Sequence, residues 1–235
     1  MITQEIIQTL KGYTANMQKR VSFVLQTGEH AKRDELFAFL TDIASVSEMI
    51  ELEQRDTGGE LRSPVSFTLE VEGKPTGVTF SGIPGGHEFN SLVLAMLQAS
   101  GTPIKLDDSV KALIGGVREP LNFEVFISLS CHNCPEVVQA LNQFALLNPN
   151  ISTEMIDGGL FPELIEEREI QGVPSVYQNG ELFANGKVEP AKLLALLQER
   201  YPELTQSAAP AAELPLQDVT VIGGGPAGVS AAIYA

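Results

Sequence analysis

The chain of 235 residues contains two cysteines, and they stand together as Cys131-His132-Asn133-Cys134, followed by Pro135. Two thiols at this spacing can close into a disulfide and open again. The thiolate is the nucleophile, and exchange with a second disulfide runs through a mixed-disulfide intermediate. Other uses of the pair are weaker. A C-x-x-C bridge closes so short a loop that it adds little stability, and a long chain with one such pair is not a disulfide scaffold. A structural zinc needs about four ligands, and His30, His87 and His132 supply no second ligand pair at useful spacing. No metal is expected, and thiol–disulfide exchange is the chemistry the pattern favours.

A redox pair needs an element to carry it and an element to activate it. The apolar run from Phe123 to Leu129 predicts a strand into the motif, and Val137, Leu141, Phe144 and Leu147 predict a helix out of it. Cys131 then falls at a helix start, where unpaired N–H groups and partial positive charge favour a thiolate. It is the expected attacking sulfur, and Cys134, one turn inside, the resolving one. Pro135 suits the first turn, where no N–H is required. His132 has two readings, a cation beside the thiolate or an exposed spacer; Asn133 reads as a helix-start residue. Glu88 opens an apolar stretch with Phe89, Leu92, Val93 and Met96. It is either a first-turn carboxylate favoured by the helix dipole or a partly buried acid able to take the Cys134 proton.

The elements come in an order that repeats. Residues 1–20 read as a helix, Val21 to Leu25 as a strand, Asp34 to Ser45 as a helix and Ile50 to Glu53 as a strand. Ser63 to Leu69 reads as a proline-headed strand, Gly73 to Gly77 as a turn into Val78 to Phe80, then a helix from His87 to Ala99 and another from Leu106 to Gly115. The second half gives a strand at 121–129, a helix at 134–148, a strand at Ile151 to Ile156 and a short helix at 160–169. Next come Val173-Pro174 heading a strand, a turn at Asn179-Gly180, a strand at Glu181 to Ala184 and a helix from Pro190 to Arg200. The interval from Val21 to Pro64 is shorter than that from Leu121 to Pro174 by about the 160–169 helix. The first copy therefore reads as having lost that element.

A C-x-x-C at a strand-to-helix junction, with Val-Pro at a later strand start, resembles the thioredoxin fold. The resemblance implies a cis bond before Pro174, beside the dithiol, and makes Pro64 its counterpart in the first copy. Thr27-Gly28-Glu29-His30 stands there in place of a dithiol. The phrases Ser128-Leu-Ser-Cys-His-Asn-Cys-Pro135, Ile156-Asp-Gly-Gly159 and Gly86-His-Glu-Phe89 narrow this. They resemble the N-terminal domain of the alkyl hydroperoxide reductase flavoprotein family. The implied class is α/β: a first thioredoxin-like fold over 1–117 without a dithiol and a second over 118–200 carrying the active C-x-x-C. A linker follows at 201–217, rich in Pro, Ala, Glu and Ser, and then the first strand and helix of an FAD-binding Rossmann-like domain at 218–235. There Gly223, Gly225 and Gly228 form G-x-G-x-x-G after an apolar strand, a pattern that brings backbone N–H groups to a pyrophosphate. The acidic ribose-binding residue expected ~20 residues on would lie past Ala235, so the sequence reads as a fragment. FAD and NADH are implied for the full-length protein and are not expected to bind this chain.

The resemblance also implies partners: the peroxiredoxin component of the same reductase system as electron acceptor, and the flavin and NADH domains of the same chain as donor. The intact protein is expected to be a homodimer and this chain a monomer. A formal charge of −15 argues against nucleic acid and anionic membrane. No apolar run approaches the ~20 residues of a membrane span, and the N-terminus has no signal-peptide pattern, so a cytoplasmic location is expected. A different class of function stays open on sequence: a non-catalytic interaction module whose dithiol senses redox state.

Overall fold

The computed structural model describes residues 2–202. The predicted linker beyond Pro202 and the glycines Gly223, Gly225 and Gly228 lie outside them. The described chain builds one eight-stranded sheet with helices on its faces. In chain order the elements are α1 (Gln4–Thr14), β1 (Val21–Gln26), α2 (Arg33–Ala44), β2 (Ile50–Arg55), β3 (Ser66–Val71) and β4 (Lys74–Ser81). A 3-10 turn (Gly86–Glu88) leads into α3 (Phe89–Ala99), followed by α4 (Asp108–Gly115), β5 (Leu121–Ile127) and α5 (Cys134–Leu147). Then come β6 (Ile151–Asp157), α6 (Pro162–Glu167), β7 (Ser175–Gln178), β8 (Glu181–Asn185) and α7 (Pro190–Arg200).

The strand order is β2-β1-β3-β4-β6-β5-β7-β8. The first four strands and the last four follow the same pattern. In each, the first strand pairs in parallel with the second and antiparallel with the third, which forms a hairpin with the fourth. The fold is therefore two tandem thioredoxin-like units. They are fused edge to edge, because β4 pairs in parallel with β6, from Val78 opposite Thr153 to Ser81 opposite Ile156. Ladder hydrogen bonds run through the junction, so each unit covers an edge of the other that would otherwise be unpaired. Between β6 and β7 lies α6, whereas no helix lies between β2 and β3. The shorter first interval in the sequence has this cause.

The core follows the apolar pattern. Phe23, Phe67 and Phe80 are buried on neighbouring strands of the first unit, with ring centroids 5.8 and 5.3 Å apart. In the second unit α5 buries Val137, Val138, Leu141, Phe144 and Ala145 on one side. It packs against β4 and β6 and against α3, so the helix that starts at the dithiol straddles the junction between units.

Several expected boundaries shift for physical reasons. The N-terminal helix ends at Thr14 instead of reaching residue 20, because the amides of Gln18 and Lys19 donate instead to Ser100 at the end of α3. The turn expected over Gly73 to Gly77 is only the pair Glu72-Gly73, both at positive φ, and Lys74–Gly77 already belong to β4. The strand expected at 121–129 ends at Ile127, and Pro64 precedes β3 by two residues instead of heading it. The helix expected from His87 starts at Phe89, after the 3-10 turn.

Candidate redox site

The site is assembled at the end of β5, where the chain turns through Ser128–Ser130 and enters α5. The amide of Cys131 donates to the carbonyl of Ser128 at 2.9 Å, which closes the turn. Cys131 and Cys134 form a disulfide, with Cα atoms 5.6 Å apart. Their environments differ as helix geometry requires. Cys134 is the first residue of α5 and fully buried; Cys131, outside the helix, is partly exposed. Asn133 stands at the N-cap position but makes no capping bond, and Pro135 sits in the first turn as expected.

The loop before β7 faces the pair. The Val173–Pro174 peptide bond is cis, and Pro174 is buried. The Val173 carbonyl oxygen lies 3.7 Å from Cys131 Sγ. In the disulfide that sulfur has no hydrogen, so this is a contact and not a hydrogen bond; the carbonyl is placed to meet a thiol when the bridge opens. The Ser63–Pro64 bond is not cis, so Pro64 occupies the corresponding place without that geometry. In the first unit the His30 Nδ1 accepts from the Lys32 amide at 3.0 Å, just before α2.

The 3-10 turn flanks the dithiol from the first unit. The His87 and His132 rings are 4.2 Å apart, both residues exposed. Gly86 has φ +53°, and a Cβ there would come within 2.9 Å of the Leu129 carbonyl oxygen, so only glycine lets this turn approach the Cys131 loop. Glu88, next but one in the chain, is completely buried, and neither carboxyl oxygen has a hydrogen-bond partner. Burial pushes its pKa up to about 7, with the nearby Ser91 hydroxyl opposing the rise. Glu88 precedes α3 as its N-cap residue, makes no side-chain cap, and is held out of water.

Other features were not legible from spacing. Asp157, at the end of β6, is buried and its pKa is raised by that burial, against the pull of the Gly159 amide that bonds it at 3.0 Å. It lines a cavity of about 550 Å³ with Gly85, Gly86, Phe89 and Leu129, beside the dithiol loop. Arg62, in the loop before Pro64, donates to Glu154 and to Glu124, and Arg168 donates to the other oxygen of Glu124, all at 2.6 Å. Glu124 and Glu154 are paired across β5 and β6. Only their cross-strand register, not their sequence separation, brings them to one guanidinium.

Residues 121–198 match the thioredoxin domain model, which covers the dithiol, the cis-proline loop and most of α7. The N-terminal domain of alkylhydroperoxide reductase AhpF from Enterococcus faecalis superposes with a TM-score of 0.77. It is 33% identical and covers 84% of this chain and 100% of its own. The chain belongs to the AhpF family of alkyl hydroperoxide reductases. The family's member in Pseudomonas aeruginosa is 42% identical over 238 residues, spanning 100% of this chain and 44% of the relative. A Bacillus subtilis protein named NADH dehydrogenase is 42% identical, over 96% of this chain and 42% of its own length. The chain thus spans less than half the length of these curated relatives. A protein disulfide oxidoreductase from Aeropyrum pernix, 19% identical, has a TM-score of 0.73 and shares the fold. The domain is a disulfide oxidoreductase of the AhpF family. No described helix is long and apolar enough to cross a membrane.

Proposed function

We propose that this chain is the electron-relay domain of a peroxiredoxin reductase. The reduced pair Cys131–Cys134 passes two electrons to the disulfide of a peroxiredoxin, the peroxidase component of the same system, in peroxide detoxification. The observation that carries the reading is the asymmetry of the pair, one sulfur reachable and one buried, inside a domain that matches the AhpF N-terminal domain along that domain's whole length. The Cys131 thiolate attacks the partner disulfide, forming a mixed disulfide and releasing one partner thiolate. Cys134 gives its proton to Glu88, and its thiolate attacks Cys131 Sγ; the Cys131–Cys134 bond forms and the second partner thiolate leaves. Glu88 suits this as a carboxyl poised near neutral pH. The Val173 carbonyl and Pro174 wall the groove along which a partner's backbone would lie, and the His132 imidazole borders its mouth.

The family resemblance assigns the source of electrons to a reductase portion using NADH, FAD and a second dithiol. Gly223, Gly225 and Gly228 are the residues of this chain proposed to belong to its dinucleotide site. The domain limits proposed from the sequence, 1–117 and 118–200, fall in the connection between α4 and β5 and at the end of α7.

The test is transfer from the chemically reduced 235-residue chain to the oxidised peroxiredoxin component, followed by thiol counting. Cys131→Ser removes the attacking thiolate and should abolish transfer, by at least ~1,000-fold. Cys134→Ser should accumulate a covalent adduct visible on a non-reducing gel. Transfer by Cys131→Ser, or turnover without adduct by Cys134→Ser, would reverse or remove the assigned roles. Affinity for the peroxiredoxin that changes with oxidation, without any transfer, would instead identify a redox-sensing module.

A further inference from the structure

Glu88 is buried with both oxygens unbonded, a costly arrangement for a group that must ionise. A hydroxyl donor is built into the contact between α3 and α5. Ser91, one helical turn beyond Glu88, is completely buried, and its Oγ accepts a hydrogen bond from Gln139 Nε2 on α5 at 3.3 Å. A serine hydroxyl has one hydrogen to give as well as lone pairs to receive. With Gln139 occupying the acceptor side, the hydrogen of Ser91 is left to turn elsewhere. Gln139 itself reaches the surface, lining one hollow with Glu136 and Lys187 and another with Tyr13 and Asn90.

We propose that Ser91, held by Gln139, is a positioning residue that swings its hydroxyl hydrogen onto Glu88 when that carboxyl gives up its proton. The coupling makes α5 contribute twice to the same reaction: Cys134 at its start, and Gln139 through a hydroxyl on the opposing helix. The inference rests on the Glu88 role above. The other charged or titratable groups around Glu88 are few. His87 lies on its own turn and pairs with His132; Cys134 and Glu136 come from the first turn of α5; α3 from Phe89 to Ala99 has none. Lys32, Glu35 and Asp157 line the cavity bounded by Gly85 and Gly86.

The experiment is to follow the carbon-13 shift of the Glu88 side-chain carboxyl against pH in the oxidised 235-residue chain. Ser91→Ala should move the Glu88 midpoint up by about one pH unit, equivalent to roughly tenfold less carboxylate at a given pH below it. Gln139→Leu should move it in the same direction by less, and Ser91→Thr, which keeps a hydroxyl, should titrate as the parent. A residue that served only packing would leave the midpoint in place. An unchanged midpoint in Ser91→Ala, a downward shift in Gln139→Leu, or a Ser91→Thr shift as large as that of alanine overturns the proposal. The Glu88 role is tested separately: Glu88→Gln with parental transfer rate would remove that role while leaving the titration result readable.

Discussion

At the scale of single residues, Glu88 ties the proposed proton transfer to the fold's stability. Its pKa is raised from an ordinary 4.5 to about 7 by burial. In the pH range between those values the folded chain keeps a proton that the unfolded chain releases. Stability is therefore full below about 4.5 and declines as pH rises through about 7. The shift corresponds to about 3 kcal/mol. Glu88→Gln removes the titration, so urea unfolding at about pH 4 and about pH 8 should show the parent losing about 3 kcal/mol more between the two than the variant does. Equal losses would mean that the carboxyl ionises without penalty. Asp157 is shifted in the same direction but is common to both proteins and cancels.

At the scale of elements, the 3-10 turn is the part that must sit close. Gly86, at φ +53°, packs against the carbonyl of Leu129, two residues before Cys131. Gly86→Ala puts a methyl into that contact and strains the backbone; a loss of about 1–3 kcal/mol is expected. The turn should back away from the Cys131 loop, open Glu88 to water and slow exchange. Gly58→Ala is the control, since φ there is +63° but an added Cβ meets nothing within 4 Å outside its chain neighbours. Unfolding free energies and transfer rates of the two variants should separate strain, shared by both, from the loss of the close approach. Equal transfer rates would show that the turn's position does not matter to the dithiol.

At the scale of the whole molecule, two units behave as one body because a sheet and a charge cluster cross the same seam. The sheet contributes the parallel β4–β6 ladder. The cluster contributes Arg62 of the first unit, half-buried between Glu124 and Glu154 of the second. Arg62→Ala leaves Glu154 without its cation and Glu124 with Arg168 alone, at an expected cost of about 2 kcal/mol, below that of a fully buried pair because water still reaches the site. Since the ladder remains, urea unfolding should stay a single transition by circular dichroism and tyrosine fluorescence. Two transitions would mean that the cluster, not the ladder, joins the units. A rigid body of this kind keeps the first unit useful although it has no dithiol of its own. It supplies the wall of the site that holds Glu88.

The sequence by itself determined the dithiol, the strand and helix on either side of it, the proline that faces it and the repeated order of elements. All of these are local: a period of two or 3.6 in apolar residues, a pair of cysteines, a proline at a strand start. What only the tertiary structure decided lies between segments far apart in the chain. How deeply Glu88 is buried depends on what the fold lays over the 3-10 turn, α5 included. The meeting of His87 with His132, of Gln139 with Ser91 and of Arg62 with Glu124 and Glu154 depends on the register of β4 on β6. Even the end of α1 is set by Ser100, far along the chain, which takes the amides of Gln18 and Lys19. Burial and partner choice belong to the packed state, and no local pattern encodes them.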